Sequence, residues 1–422
     1  MGTSIQPLKG TRDFYPEDLA RREALLSPIK KTIETYGYLP YEAPILEPLS
    51  LYAAKSSTEI IERQSYVFED RGGERLVLRP EMTPSLARLI AAKQRELPSI
   101  VRWYSFPECW RYERPQKGRL RNFLQINVDL IGSDTAEADA EVLDLALAMI
   151  ASLGADMKKI QLRLNDRRLL EHWLVEAGCA PENWTALLGT LDARDKMEHD
   201  AFVTELTKHS SPAAAEKLIK LLATPLPEIL ASSYGQRLTA VVNILERRGW
   251  KDSIVVDPTI IRGFTYYTGL VFEVYETSGT FRRAIFGGGR YDNLVEAVGG
   301  SPVSGIGFGV SDVSLEEMLS AQNIVLQPAA EPRIAVIPFS DAEAPYAAEC
   351  LTTLRTAGII AEQALPPYDL KKQLKLAAKL NTTHAVLIFP DEIAQGNVVV
   401  RNLSNGEQTI CAVKNLPQIV LQ

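Results

Sequence analysis

Apolar and polar positions along this chain change their spacing from segment to segment, and the changes divide it into predicted elements. Residues 15–36, rich in Arg, Glu, Leu and Ile and stopped by Gly37, predict a helix. The prolines at 40, 44 and 48 then hold the chain extended, because proline forbids a helix and biases the residue before it to β. Strands are predicted at 65–69, 75–79, 101–105, 109–113 and 122–131. A helix over 135–153 buries Leu143, Leu145, Leu147 and Met149. From 167 to 248 strand signals vanish; Leu, Ala, Glu and Lys dominate, with breaks near Pro181, 210–212 and 225–227, which predicts a helical insertion between two halves of a β-rich domain. Strands resume at 253–257, 266–277 and 281–286, and a Gly-rich strand at 303–310 precedes a helix at 312–322. After a loop at 322–332 the pattern alternates: strand 333–338, helix 342–357, strand 359–363, helix 369–381, strands 383–389 and 397–402. That rhythm predicts a small α/β domain with a largely parallel sheet. The chain thus divides into a domain over 1–325, containing the insertion, and a second over 331–422.

The densest chemistry lies between the two strands at 109–113 and 122–131. Arg111 and Glu113 point inward on the first; a basic turn at 115–121 follows. Alternation at period two puts Phe123, Gln125, Asn127 and Asp129 on one face of the resulting hairpin. An aromatic plate, an amide and a carboxylate beside a guanidinium can floor a site for a small polar molecule and a phosphate. A surface hairpin with ordinary ion pairs is the plainer alternative. Against it, the charges crowded into 111–121 are costly together unless an anion binds.

Composition narrows the class. At 422 residues the chain exceeds one ordinary core, and 46% hydrophobic with 23% charged residues marks a globular protein. The net charge of −7 argues against broad nonspecific nucleic-acid binding but leaves room for a local basic surface. No apolar run approaches the ~20 residues of a membrane span, and the N-terminus lacks a signal-peptide pattern. Cys109, Cys179, Cys350 and Cys411 have neither metal nor disulfide spacing, so a reducing cytoplasm is expected.

Other segments are individually ambiguous. Glu81-Met82-Thr83 precedes a helix starting at 84, where Thr83 also suits simple capping. Arg262-Gly263-Phe264-Thr265-Tyr266-Tyr267-Thr268-Gly269 frames an arginine and two tyrosines with glycines. Gly287-Gly288-Gly289-Arg290-Tyr291-Asp292 reads as a tight turn whose backbone can approach a ligand. Gly305-Ile306-Gly307-Phe308-Gly309 lacks the dinucleotide spacing; its period-two glycines bare one strand face for a flat ring or a closely packed helix. Lys371, Lys372, Lys375 and Lys379 lie on or near one helical face, which serves equally as a solvated face or a phosphate contact.

Taken in order from Gly10-Thr11-Arg12-Asp13 to the C-terminus, these segments resemble the class II aminoacyl-tRNA synthetases and, among them, the histidyl-tRNA synthetase family. Residues 37–44 resemble the first class motif, a dimer-interface element; 111–129 resemble the second and 305–309 the third. The stretches from Arg262 and from Gly288 resemble the two histidine signatures. The resemblance implies an α+β fold: an antiparallel catalytic sheet with flanking helices, the helical insertion, and a C-terminal α/β domain like those that bind anticodons. It implies that histidine and ATP with Mg2+ give histidyl-adenylate and pyrophosphate, that the histidyl group passes to tRNA(His), and that the protein is a homodimer. Arg111 and Arg262 would be catalytic, holding the α-phosphate and the substrate carboxylate from opposite sides. Phe123 would stack on adenine while Glu113 accepts from its amino group. Glu81, Thr83 and Gln125 would take the substrate ammonium, and Asp129, Tyr266, Tyr267 and Tyr291 would surround the imidazole. Gln116 and Arg119 would meet the acceptor end of the tRNA. No sequence motif for a protein-held metal accompanies them.

Two departures stand out. The third motif continues Gly309-Val310-Ser311-Asp312 where an arginine is usual, and Thr265 stands where an Asp is common. The clustered Arg282 and Arg283 are candidates to supply the charge lost there, though the sequence gives them no place. A rival reading is the non-catalytic, synthetase-like regulatory subunit of ATP phosphoribosyltransferase. Asp312 favours it; Arg111, Arg262, the run Gln116-Lys117-Gly118-Arg119 and a full C-terminal domain favour the ligase. A synthetase for another amino acid is disfavoured by the two histidine signatures.

Overall fold

The structure is a computed structural model that describes residues 5–53, 64–116, 118–194, 197–260, 266–279, 283–328 and 332–421. Arg262, Thr265, Lys117 and Arg282 lie outside these. The chain forms two compact units, Met1–Pro328 and Ala329–Gln422.

The first half of the larger unit supplies β1 (Leu39–Pro40), β2 (Leu46–Pro48), β3 (Tyr66–Glu69), β4 (Arg75–Leu78), β5 (Val101–Ser105), β6 (Glu108–Trp110) and β7 (Asn122–Ile131). Its second half supplies β8 (Ile160–Asp166), β9 (Ile254–Val256), β10 (Leu270–Glu276), β11 (Phe286–Arg290) and β12 (Gly305–Ser311). Among the described residues these build a nine-stranded sheet in the order β1-β5-β7-β12-β11-β10-β8-β9, with β6 folded back on β7. Only β1–β5 and β8–β9 pair in parallel; the remaining ladders are antiparallel. A smaller antiparallel sheet, β2-β4-β3, lies beside it.

Side-chain alternation gives the main sheet two unlike faces. Ile126, Val128 and Leu130 of β7 and Ile306, Phe308 and Val310 of β12 point to one side, into a core shared with helices Pro16–Thr35, Ala136–Ser152 and Gly235–Arg247. Leu143, Leu145, Leu147 and Met149 are all fully buried there, each worth about 1.5–3 kcal/mol of transfer free energy. The other face carries the polar residues described below. Helices Arg167–Ala177 through Leu226–Ala231 share a separate core around Leu174, Leu187 and Leu206. The next helix, Gly235–Arg247, instead sends Leu238, Val241 and Leu245 into the main core. Among the described residues no helix is long and apolar enough to cross a membrane.

Several elements differ from their sequence prediction. β8 is additional, although Ile160, Leu162 and Leu164 alternate with Gln161 and Arg163; it pairs with β10 over its whole length. The strand predicted at 109–113 ends at Trp110, so Arg111 and Glu113 lie on irregular chain, held by an Arg111 N–H to Arg121 C=O bond of 2.8 Å. Gly287 to Arg290 is no tight turn but the buried strand β11. The reason is space: a Cβ on Gly288 would lie 2.1 Å from the Gly307 carbonyl oxygen on the adjacent β12.

The C-terminal unit contains β13 (Arg333–Pro338), β14 (Ile360–Gln363), β15 (His384–Ile388), β16 (Asn397–Asn402) and β17 (Gln408–Ala412), ordered β14-β13-β15-β16-β17. Two pairings are parallel and two antiparallel, so the sheet is mixed rather than largely parallel. The link from β15 to β16 is too short for a parallel crossover, which takes a dozen residues or more. A turn at Gly406 (φ +79°) then returns the chain as β17. Lys371, Lys372, Lys375 and Lys379 are exposed on helix Leu370–Lys379, with Lys372 3.4 Å from Asp369.

Candidate active site

The polar face of β7 floors a cavity of about 440 Å³. Phe123, Gln125, Asn127 and Asp129 all line it, as the alternation predicts. From Phe123 to Asp129 the floor extends about 20 Å. The neighbouring β12 gives it depth. Gly307 pairs with Asp129 and Gly309 with Asn127. A Cβ on Gly307 would sit 2.3 Å from Asp129 Oδ1, and one on Gly309 would sit 2.1 Å from Gln125 Nε2. The bare face of this strand is therefore room for the polar side chains of its neighbour, rather than a seat for a helix.

At the deep end Asp129 is 1% exposed. Its Oδ1 accepts from the Tyr291 hydroxyl, while Oδ2 is buried with no partner among the described residues. Burial pushes the Asp129 carboxyl up to about 7, and the Tyr291 hydrogen bond only partly opposes it. Asn127 likewise has a buried Oδ1 without a partner among the described residues. Buried acceptors left open in this way mark a place where an N–H-bearing ligand fits. Tyr266 stands edge-on to both Tyr267 and Tyr291, and its hydroxyl donates to Glu81 Oε2 at 3.0 Å. Burial, reinforced by their carboxylate partners, holds both Tyr266 and Tyr291 protonated. Glu81 is 2% exposed, and Thr83 beside it is the first residue of helix Thr83–Lys93. Thr83 is therefore inside the helix, and its side chain does not cap it; the N-cap is Met82.

Towards the hairpin tip the lining turns cationic. Arg111 donates from Nε to the Pro80 carbonyl (2.9 Å) and lies 5.3 Å above the Phe123 ring. Glu113 is 3.9 Å from Arg111 and 3.5 Å from Arg119. Gln116 pairs with Arg119 across the tip, is exposed, and does not line the cavity. Cys109 is fully buried against Gln125 Oε1 (3.3 Å), and burial raises its thiol to about 12, which makes it inert packing.

Asp312 does not face the cavity. It is fully buried at the start of helix Asp312–Ala321, where it accepts from Arg12 Nη2 (2.6 Å) and from the Leu124 backbone N–H (3.1 Å). Gly10, next to this staple, accepts from the Arg121 N–H at 2.8 Å. The N-terminal Gly-Thr-Arg segment thus buttresses the hairpin from behind. Arg290 also turns away from the cavity. It is fully buried, with Nε and Nη2 on Asp139 (3.1 and 2.6 Å) and Nη1 on Asp292 (3.2 Å). Asp292 accepts from Thr268 at 2.7 Å, so the Arg290–Asp292 and Tyr266–Gly269 segments brace one another.

Alternation along β7 places Asn127 on this face without giving it a role; Gln64 and Ser314 line the cavity from outside every motif, and Arg283 comes from a charged pair whose place the sequence leaves open. Among the described residues no cluster of three or more His, Cys, Asp or Glu could hold a metal ion.

A family model described as Histidyl-tRNA synthetase matches residues 10–314, and one described as Anticodon binding domain matches 333–422. The Histidine--tRNA ligase of Leptospira biflexa is 36% identical over 408 residues, covering 95% of this chain and 93% of that one. That of Pyrococcus furiosus is 33% identical, covering 99% and 98%. Among solved structures, histidyl-tRNA synthetase from Nostoc sp. PCC 7120 superposes with a TM-score of 0.79 at 24% identity, covering 100% of this chain and 99% of that one. An ATP phosphoribosyltransferase regulatory subunit/histidyl-tRNA synthetase from Bacillus halodurans superposes at 0.74 and 23%, covering 92% and 99%. At such identities these two establish the shared fold alone.

Proposed function

The chain belongs to the histidyl-tRNA synthetase family, and from that premise we propose that it activates histidine with ATP and transfers the histidyl group to tRNA(His). In the first step a carboxylate oxygen of histidine attacks the α-phosphorus of ATP. The bond from that phosphorus to the β-bridging oxygen breaks, and pyrophosphate leaves with the electron pair. In the second step a terminal ribose hydroxyl of the tRNA displaces AMP.

The observation that carries this reading is the buried Asp129 Oδ2, without a partner among the described residues, at the end of a cavity whose other end is lined by arginines. An imidazole N–H is the donor that fits a carboxylate enclosed by tyrosines, and Tyr267 and Tyr291 close around the ring. Glu81, Thr83 and Gln125 supply acceptors for the substrate ammonium. Arg111, already anchored on Pro80, is aimed by that bond and stabilises charge on the α-phosphate and the attacking carboxylate. Arg262 is its proposed counterpart, as the family resemblance implies. Phe123 stacks on adenine and Glu113 accepts from its amino group, for which Arg111 has to lift from the ring. Gln116 and Arg119, at the exposed tip, receive the tRNA end, and the C-terminal unit reads the anticodon. Magnesium arrives on the triphosphate, whose oxygens it prefers. A homodimer built through 37–44 and a cytoplasmic location complete the reading.

Histidine-dependent exchange of labelled pyrophosphate into ATP tests it. Exchange with histidine, and none with other amino acids, is expected. Histidine binding without exchange would replace this reading by that of a non-catalytic regulatory subunit.

A further inference from the structure

Three basic side chains line the cavity among the described residues: Arg111, Arg119 and Arg283. Arg283 comes from the chain just before β11 and meets the hairpin tip. A Cβ on Gly118 (φ +68°) would lie 1.9 Å from Arg283 Nη2, so the glycine is what lets the guanidinium in. This is a partly desolvated place for a cation with another cation beside it. Burial and the charge of Arg119 both depress the Arg283 pKa, against the pull of Glu317 and Glu113. Like charges crowded at a cavity wall are costly to the free protein and are relieved when an anion binds between them. The opposite wall brings no cation. From 307 to 314 it presents Gly307, Phe308, Gly309, Ser311, Val313 and Ser314, while Asp312 is spent on Arg12.

We propose that Arg283, together with Arg119, grips the β- and γ-phosphates of ATP and takes up the charge that develops on pyrophosphate as it leaves. The inference rests on the ligase reading above. The ligand is a polyphosphate because the site lies at the Phe123 end of the floor, where the nucleotide belongs, and away from the buried Asp129 that suits the amino acid. Arg283 thereby becomes a phosphate-binding residue of the first step, distinct from Arg111 at the reacting phosphorus.

The test is R283Q, with R283K as the conservative control. In histidine-dependent exchange R283Q should raise the KM for ATP roughly 10- to 100-fold, the range of a lost charge-assisted hydrogen bond. The KM for pyrophosphate in the reverse reaction should rise similarly, and R283K should recover most of both. Calorimetric affinities for histidine, and for a stable histidyl-adenylate analogue without β- and γ-phosphates, should stay within about two-fold, since neither ligand reaches Arg283. If the tail-less analogue weakens as much as ATP, Arg283 merely shapes the hairpin and the proposal falls. It falls equally if ATP is unaffected while tRNA charging drops. If the parent protein shows no exchange, the ligase reading is what fails; ATP calorimetry on R283Q still decides, and an unchanged ATP affinity overturns the phosphate role.

Discussion

Asp129 shows how one buried group ties stability to recognition. Its carboxyl titrates near 7 in the fold against 3.8 for the exposed group. Between those values the folded chain holds more protons than the unfolded one, so this group's contribution to stability is full at pH 4 and is lost as pH rises through 7. The span corresponds to about 4 kcal/mol at 1.36 kcal/mol per unit. Asp129→Asn keeps the shape and the bond from Tyr291 but cannot ionise. Its urea midpoint should therefore exceed the parent's above pH 7 and converge with it near pH 4. Its KM for histidine should rise roughly 10- to 100-fold, because the charged acceptor for the imidazole is gone. A variant both more stable and less active is the signature of a carboxylate kept for binding. A parent whose midpoint does not fall between pH 5 and 8 relative to D129N would show that Asp129 is not strained in this way.

At the scale of elements, the pairing of β7 with β12 makes a sharper pair of predictions. On Gly307 a new Cβ meets Asp129 Oδ1 at 2.3 Å and the Val128 carbonyl oxygen at 2.6 Å, and the backbone cannot step aside. Gly307→Ala should cost about 1–3 kcal/mol by overpacking and abolish calorimetric histidine binding. On Gly309 the nearest obstacle is the flexible amide of Gln125, so Gly309→Ala should leave the melting temperature nearly unchanged while weakening histidine binding through its ammonium. Equal loss of stability in both would refute this account of the glycines. The same strands show what a sequence can disclose. Phe123, Gln125, Asn127 and Asp129 sit on one face because alternation is local and geometric. That Gly307 and Gly309 make room for those side chains is a fact about two strands far apart in sequence, and no periodicity within either one contains it. Likewise the glycines at 287–289 carry the composition of a turn, and the close approach of Gly307 to Gly288 and of Tyr267 to Gly289 explains why these two form a buried strand. Arg283 stands out in the sequence as half of a charged pair, but its place does not, because it meets Gly118, far off along the chain.

At the scale of the whole molecule, each unit closes its own core: the larger around β7, β12 and their helices, the smaller around Val336, Val386 and Leu354. The cavity is lined wholly from within Met1–Pro328. A chain ended at 328 should therefore fold and retain histidine-dependent pyrophosphate exchange. Its kcat/KM for tRNA should fall on the order of 100-fold or more, because a second contact no longer holds the substrate. Loss of exchange on truncation would mean that the larger unit needs the smaller to fold. The α+β class is plain in the sequence, since it follows from composition and rhythm. The mixed pairing of the last sheet is less so, because it turns on the shortness of one connection.

The staple between Arg12 and Asp312 spans 300 residues of chain. During synthesis at 5–20 residues per second, Arg12 leaves the ribosome about 15 to 60 seconds before its carboxylate partner is made. Through that interval the hairpin has no buttress behind it, and the strand that gives the cavity its depth does not yet exist. A chain released before Asp312 is made thus lacks both the staple and the strand that deepens the cavity, and competence arrives late in translation.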